Sequence, residues 1–204
     1  GATAALGLAR AGLRVGLVGP VPASGYASPS PDRWDPRVFA ISPASRALLD
    51  QLRVWDALDA ARVAPVYDMR IYPSGRPGAP ELHFGAYEAC VDALAWIVEG
   101  DNLSGALDRA LSFAGVAQID GVVESVDNIA ADAEVTLVGG HRLRANLLVG
   151  ADGARSPLRA MLGIATTERD YPQRAVVANF ETGLPHRDCA WQWFGDHGIL
   201  ALLP

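Results

Sequence analysis

Val149-Gly-Ala-Asp-Gly-Ala-Arg-Ser-Pro-Leu-Arg159 is the segment whose residue types are best suited to hold a ligand. The apolar run Leu147-Leu148-Val149 is expected to be a buried strand that delivers Asp152 and Gly153 at its C-terminal end. Ligands of open α/β sheets sit at that end. A carboxylate there accepts hydrogen bonds from ribose hydroxyls. Gly153 lets backbone approach a pyrophosphate, and the helix start that follows favours negative charge. The same residues also suit an ordinary strand-to-helix turn in which Asp152 closes a local Asx turn.

A second candidate opens the chain. Ala2, Ala5, Leu6, Ala9 and Leu13 recur at helical spacing. Gly12 is expected to end that helix, and Val15–Val18 reads as a buried strand. Helix and strand form the second half of a βαβ dinucleotide unit, with Gly1 as the third glycine of G-x-G-x-x-G. The alternative is a generic alanine-rich helix followed by a strand. Because the chain starts inside this pattern and stops at Leu-Ala-Leu-Leu-Pro204, it is expected to be an internal piece of a longer protein.

Half of the 204 residues are apolar, enough for a sizeable core. No apolar run approaches the roughly 20 residues of a membrane span. A net charge of −6 argues against a general nucleic-acid surface. All 17 basic residues are arginine, which removes Walker-A lysines, Schiff bases and lysine bases together. Cys90 and Cys189 form neither a CxxC nor a zinc pattern, and a reducing cytoplasmic setting is the default. His83, His141, His186 and His197 lack metal-ligand spacing and read as surface or loop residues, so no metal is expected.

Between the two candidates the pattern alternates. Residues 20–34 read as an irregular loop. Ser42-Pro43 opens a helix as N-cap and N1, with Leu48, Leu49, Leu52, Trp55 and Leu58 as its apolar face and a break near Arg53. Tyr67–Tyr72 and Glu81–Phe84, joined by a Pro/Gly turn at 73–80, suggest a hairpin-like β excursion. Ala95–Glu99 runs into a helix at about 101–113. Strands are expected at Val122–Val126 and Glu134–Val138, with Gly139-Gly140 as a two-residue hairpin turn. Ser156-Pro157 caps another helix that Gly163 closes. Ala175–Phe180, Ala190–Phe194 and Ile199–Leu203 read as strands. The fold class is therefore α/β, a Rossmann-like domain interleaved with a β-rich one and truncated at both ends.

Taken in order, these pieces resemble the flavoprotein aromatic hydroxylases, most closely the ubiquinone-biosynthesis branch of FAD-dependent monooxygenases. The resemblance rests on Gly1–Gly12, Asp35-Pro-Arg-Val-Phe-Ala-Ile-Ser-Pro-Ala-Ser45 with Trp55, and Leu94-Ala-Trp-Ile-Val-Glu99. It continues through Gly150–Ser156, Tyr171-Pro-Gln-Arg-Ala-Val-Val-Ala-Asn179 and Gly198-Ile-Leu-Ala-Leu-Leu-Pro204. It implies an FAD/NAD(P)-binding α/β domain at 1–66 and 95–165, and a substrate-side β domain at 67–94 and 166–204. Gly1, Arg37, Asp152 and Gly153 would bind FAD, with Arg37 offering its planar fork to phosphate oxygens. The complete enzyme would reduce FAD with NADH or NADPH, capture dioxygen as a flavin C4a-hydroperoxide and hydroxylate a polyprenylated phenol. No catalytic acid or base follows from the resemblance. Tyr67, Tyr72, Phe84, Trp191, Trp193 and Phe194 would line an apolar pocket or simply fill core.

Two positions depart from the family pattern. The strand ending at Val18 is followed by Gly19-Pro20 rather than an acid for the adenosine ribose, and Val98-Glu99-Gly100 stands where the family often has Val-Glu-Asn. Trp191-Gln-Trp193 lacks the Ile-Pro of flavin halogenases, and no cysteine pair supports a disulfide reductase. The remaining alternatives are a hydroxylase or epoxidase outside quinone synthesis and a non-catalytic nucleotide-binding fragment. Given the truncation, the 204 residues by themselves are expected to bind FAD weakly and turn over nothing. The resemblance also implies cytoplasmic placement, with peripheral contact to the inner membrane or a ubiquinone-synthesis complex.

Overall fold

A computed structural model of the chain describes residues 1–20, 33–73, 81–127, 132–196 and 198–204. The expected loop at 20–34, the turn at 73–80 and His197 lie wholly or mostly outside the described residues. Two compact units are present, Gly1–Gly25 with Leu107–Ala175, and Tyr26–Ala106 with Val176–Pro204. These bounds differ from the division by ligand implied by the resemblance. They group 33–66 and 95–106 with the C-terminal strands.

In chain order the first unit opens with α1 (Ala2–Arg10) and β1 (Gly16–Gly19). The second holds β2 (Val38–Ile41), α2 (Pro43–Gln51), β3 (Val63–Val66), β4 (Asp68–Tyr72), β5 (Leu82–Gly85) and β6 (Ala95–Glu99). The division falls within α3 (Gly100–Phe113), after which β7 (Ala117–Asp120), β8 (Val123–Asp127), β9 (Ala133–Leu137), β10 (Arg142–Ala145) and α4 (Pro157–Met161) complete the first unit. β11 (Cys189–Gly195) and β12 (Gly198–Leu202) complete the second.

In the first unit, Ala5 and Leu6 are the buried face of α1, as the small-residue spacing requires. The helix ends in a Schellman motif. Gly12, at φ +85°, donates its N–H to the Ala9 carbonyl, and Leu13 donates to the Leu8 carbonyl. The chain then enters β1, which pairs in parallel with β7. β8, β9 and β10 form an antiparallel sheet in which Ala133, Val135 and Leu137 are buried at period two. The hairpin between β9 and β10 has three loop residues, Val138-Gly139-Gly140, rather than two. Leu137 donates to the His141 carbonyl across it, and both glycines have positive φ.

Two expected strands are absent. Leu147–Val149 is not a strand, and Leu147 is 68% exposed. Ala175–Phe180 is irregular, with Val176 93% exposed. Apolar, β-branched runs favour strand only where a neighbour completes the hydrogen-bond ladder, and neither segment is paired among the described residues.

The second unit is built around β6, the centre of an antiparallel β2-β6-β3 sheet. Its Trp96, Ile97, Val98 and Glu99 are all buried. One side packs Ile97 with Val66 and Ala190, and the other packs Trp96 and Val98 with Trp55, Leu58 and Leu103. Trp55 meets Trp96 edge to face at 5.7 Å, and the Arg46 guanidinium lies 4.3 Å from the Trp96 ring centroid. α2 starts as the sequence requires, with the Ser45 N–H donating to Ser42 Oγ and Pro43 in the first turn. It stops at Gln51, before Arg53 at φ +55°. Leu49 and Leu52 are buried, but Leu48 is not. A four-stranded sheet, β12-β11-β4-β5, completes the unit, with β11 and β4 parallel.

Candidate functional site

Asp152 sits in the irregular turn between β10 and α4, and both of its carboxylate oxygens are engaged. Ser156 Oγ donates to Oδ1, and the Leu158 N–H donates to Oδ2 at 3.0 Å. Ser156 Oγ in turn accepts the Arg159 N–H at 2.9 Å as the N-cap of α4. The hydroxyl of Ser156, and then the Leu158 N–H, hold the Asp152 carboxyl below the usual carboxylate range. The carboxylate remains exposed, and each oxygen keeps further acceptor capacity. Gly153 has φ +93°, a conformation in which a side chain would be strained. Arg159 donates to the Ala154 carbonyl at 2.7 Å and so braces the turn.

Gly1 lies beside this turn. A Cβ there would stand 3.6 Å from Ala151 Cβ and 3.7 Å from the Ala151 carbonyl oxygen. Anything larger than a methyl would fill the space between α1 and the Asp152 segment. α1 has no side-chain cap and no acid in its first turn, so its first N–H groups point outward as anion donors. A pyrophosphate fits that donor set.

At the carboxyl end of β1, Gly19 stands in register with Asp120 of β7. The carboxylate that Gly19 lacks is therefore present one strand over, and Asp120 is exposed. Asp120 escaped sequence reading because Ala117-Gln-Ile-Asp120 is too short and mixed to signal a strand. The signal that could have found it is the acid five residues after the turn glycine, Gly115 at φ +68°.

Arg37 belongs to the second unit, in the segment before β2. Its Nη2 lies 3.3 Å from Asp35 Oδ2 and 3.1 Å from Asp101 Oδ1, while the side chain is 74% exposed. Its N–H donates to Asp35 Oδ1, and its carbonyl accepts the Gly100 N–H at 2.7 Å. Asp35 is buried and also accepts the Asp101 N–H in the first turn of α3. Burial alone would raise the Asp35 pKa. The bonds from Arg37 backbone and side chain more than offset it and hold the carboxyl below its ordinary range. Gly100 is part of the same packing, since a Cβ there would lie 2.9 Å from Asp35 Oδ2 and 3.3 Å from the Arg37 carbonyl. The glycine in place of the family's asparagine thus makes room for Asp35.

Behind this group lies a buried ion pair that sequence reading missed. Arg62 Nη1 donates to Glu99 Oε1 at 3.0 Å, with both side chains less than a tenth exposed. Sequence separations of 37 and 64 residues hide such a network from pattern reading.

The six aromatics expected near a pocket divide between places. Tyr72, Trp191 and Trp193 stack nearly parallel with centroids 5.7–6.2 Å apart, and share a sheet face with Arg70, Leu200 and Leu202. Strand alternation puts Phe84 and Phe194 on the opposite face. Tyr67 precedes β4 beside His83, whose Nε2 is 2.7 Å from Asp68 Oδ1. Both cysteines are free, and burial pushes the Cys189 thiol up.

The pattern of the FAD binding domain family matches residues 1–198. The chain belongs to the FAD-binding domain family. This FAD-binding chain is 33% identical over its whole length to the 3-demethoxyubiquinol 3-hydroxylase of Escherichia coli, and spans 51% of that protein. It is 33% identical over 84% of its length to a ubiquinone hydroxylase, UbiL, of Rhodospirillum rubrum, and spans 39% of it. The chain therefore spans about half or less of the length of these relatives. Among solved structures, aklavinone-11 hydroxylase in a ternary complex with FAD and aklavinone superposes with TM-score 0.58 at 27% identity, over 80% of this chain and 32% of that one.

Proposed function

We propose that the complete protein is an FAD-dependent monooxygenase, reduced by NADH or NADPH, that hydroxylates a polyprenylated phenol in ubiquinone biosynthesis. The observation that carries this reading is the meeting of Gly1, at the uncapped start of α1, with the Ala151–Gly153 turn. The substrate class is carried over from the relatives' names.

In this reading the N–H groups that open α1 take pyrophosphate oxygens, and Gly1 and Gly153 keep the approach free of side chains. Asp152 accepts from ribose hydroxyls with the capacity left after its bonds to Ser156 and Leu158. Asp120 stands in for the acid that Gly19 lacks. Arg37, aligned by Asp35 and Asp101, offers the donors left on its exposed guanidinium to the cofactor. FAD, when bound, supplies the redox chemistry and the activation of dioxygen. The chain's own residues bind and orient it, and exclude water from the reacting face. Segments 1–66 and 95–165 take the cofactor-side role, and 67–94 with 166–204 the substrate-side role.

Among the described residues no helix is long and apolar enough to cross a membrane. A polyprenyl substrate resides in the bilayer, so we place the protein in the cytoplasm with peripheral contact to the inner membrane or to partners of the same pathway.

Complementation tests the reading. The complete gene should restore quinone synthesis in a strain blocked at one ubiquinone ring hydroxylation, and the Asp152→Ala gene should not. Failure to restore any such hydroxylation, by a protein that is expressed and carries FAD, would move the activity to a hydroxylase or epoxidase outside quinone synthesis.

A further inference from the structure

The segment 33–37 has no regular structure, yet it is tied to the second unit at nearly every residue. The Arg33 carbonyl accepts from Arg62 Nη1 at 3.1 Å. The Arg62 guanidinium lies 4.0 Å from the Trp34 ring centroid. The Asp35 N–H donates to Glu99 Oε2 at 3.1 Å. Asp35 then holds Arg37 twice, through its backbone N–H at 2.9 Å and through its guanidinium.

A buried ion pair is a poor stabilising device, because desolvation cancels much of its attraction and apolar residues of similar size often serve as well. Here the pair also makes two hydrogen bonds to the backbone of one irregular segment, at Arg33 and Asp35. The last residue of that segment is an arginine that is largely exposed while its backbone is fixed at both N–H and carbonyl. An exposed arginine normally loses rotamer freedom when it binds, and prior alignment lowers that cost.

We propose that the buried Arg62–Glu99 pair is a positioning device for Arg37, acting through Arg33, Trp34 and Asp35, and that it sets how strongly Arg37 contributes to FAD affinity. The proposal rests on the reading of Arg37 as an FAD ligand. Neither Arg62 nor Glu99 touches the cofactor in this account.

A double-mutant cycle on the complete protein tests it, reading the FAD dissociation constant by flavin fluorescence and the melting temperature in parallel. Arg62→Met is expected to weaken FAD binding about tenfold when Arg37 is present, a coupling of ordinary size for residues in one network. In an Arg37→Ala background it should change FAD affinity by less than about twofold, while still lowering the melting temperature. An effect of the same size in both backgrounds, or no effect on FAD in either, overturns the positioning role. If Arg37→Ala by itself leaves FAD affinity unchanged, the underlying assignment of Arg37 fails, and the proposal with it. Should Arg62→Met not yield folded protein, Glu99→Gln read in the same cycle carries the test with the same outcomes.

Discussion

Asp152 and Ser156 are joined carboxylate to hydroxyl across the turn that opens α4, and the same hydroxyl caps the helix through the Arg159 N–H. The residue best suited to bind ribose is thus also the residue that shapes its own turn. These two roles separate by substitution. Ser156→Ala removes the cap and should lower stability by about 1 kcal/mol, with a small effect on FAD affinity. Asp152→Asn keeps one acceptor oxygen for the turn but loses the charge, and should weaken FAD binding about tenfold with a smaller loss of stability. Chemical denaturation and flavin titration of the complete protein check both. Equal losses of affinity in the two variants would assign Asp152 to the turn alone.

Acid should reveal Asp35. Its folded pKa lies below the unfolded value, so the carboxylate contributes stability at neutral pH and loses it as pH falls through the lowered folded value. The contribution is complete above the unfolded aspartate pKa of about 3.9. Denaturation of the wild type and of Asp35→Asn should therefore give a stability difference that is constant above about pH 5 and shrinks below about pH 4. A difference that grows toward low pH would contradict the Arg37 and Asp101 bonds to this carboxylate.

Gly100 supplies a steric test. Alanine is the better helix residue by about 1 kcal/mol, yet its Cβ would lie 2.9 Å from Asp35 Oδ2. Gly100→Ala should therefore destabilise by about 1–3 kcal/mol and weaken FAD binding together, because Asp35 must shift. A stabilised variant would show that Asp35 moves aside freely.

The register of β1 and β7 makes Asp120 testable as the substitute for the acid missing at Gly19. Asp120→Ala should weaken FAD binding about five- to tenfold, the scale of one charge-assisted hydrogen bond. Isothermal titration of both proteins decides it. Unchanged affinity removes Asp120 from the site.

Local signals carried much of this fold. The Ser42-Pro43 and Ser156-Pro157 starts, the Gly12 and Gly163 ends and α3 are all present, because caps and left-handed glycines are fixed by a few adjacent atoms. Leu147–Val149 and Ala175–Phe180 differ from expectation because an apolar run reports preference for a strand, not the neighbour that would complete its ladder. β3 and β7, four residues each, gave too little pattern to read. The site divided in the same way. Gly1, Asp152 and Gly153 stand out in sequence by type and spacing, and Arg37 through the family resemblance. The Arg62–Glu99–Asp35 network joins residues 37 to 64 positions apart, and only folding brings these together.

The central claim is that the complete protein uses FAD to place one oxygen atom of dioxygen on a polyprenylated phenol. Mass spectrometry of the product formed under isotopically labelled dioxygen, with purified complete protein, FAD and NADH or NADPH, measures this directly. One labelled oxygen on the ring, formed with consumption of the nicotinamide, is the expected result. Oxidation of NADH or NADPH with no oxygen added to the ring, or with the oxygen drawn from water, would contradict it.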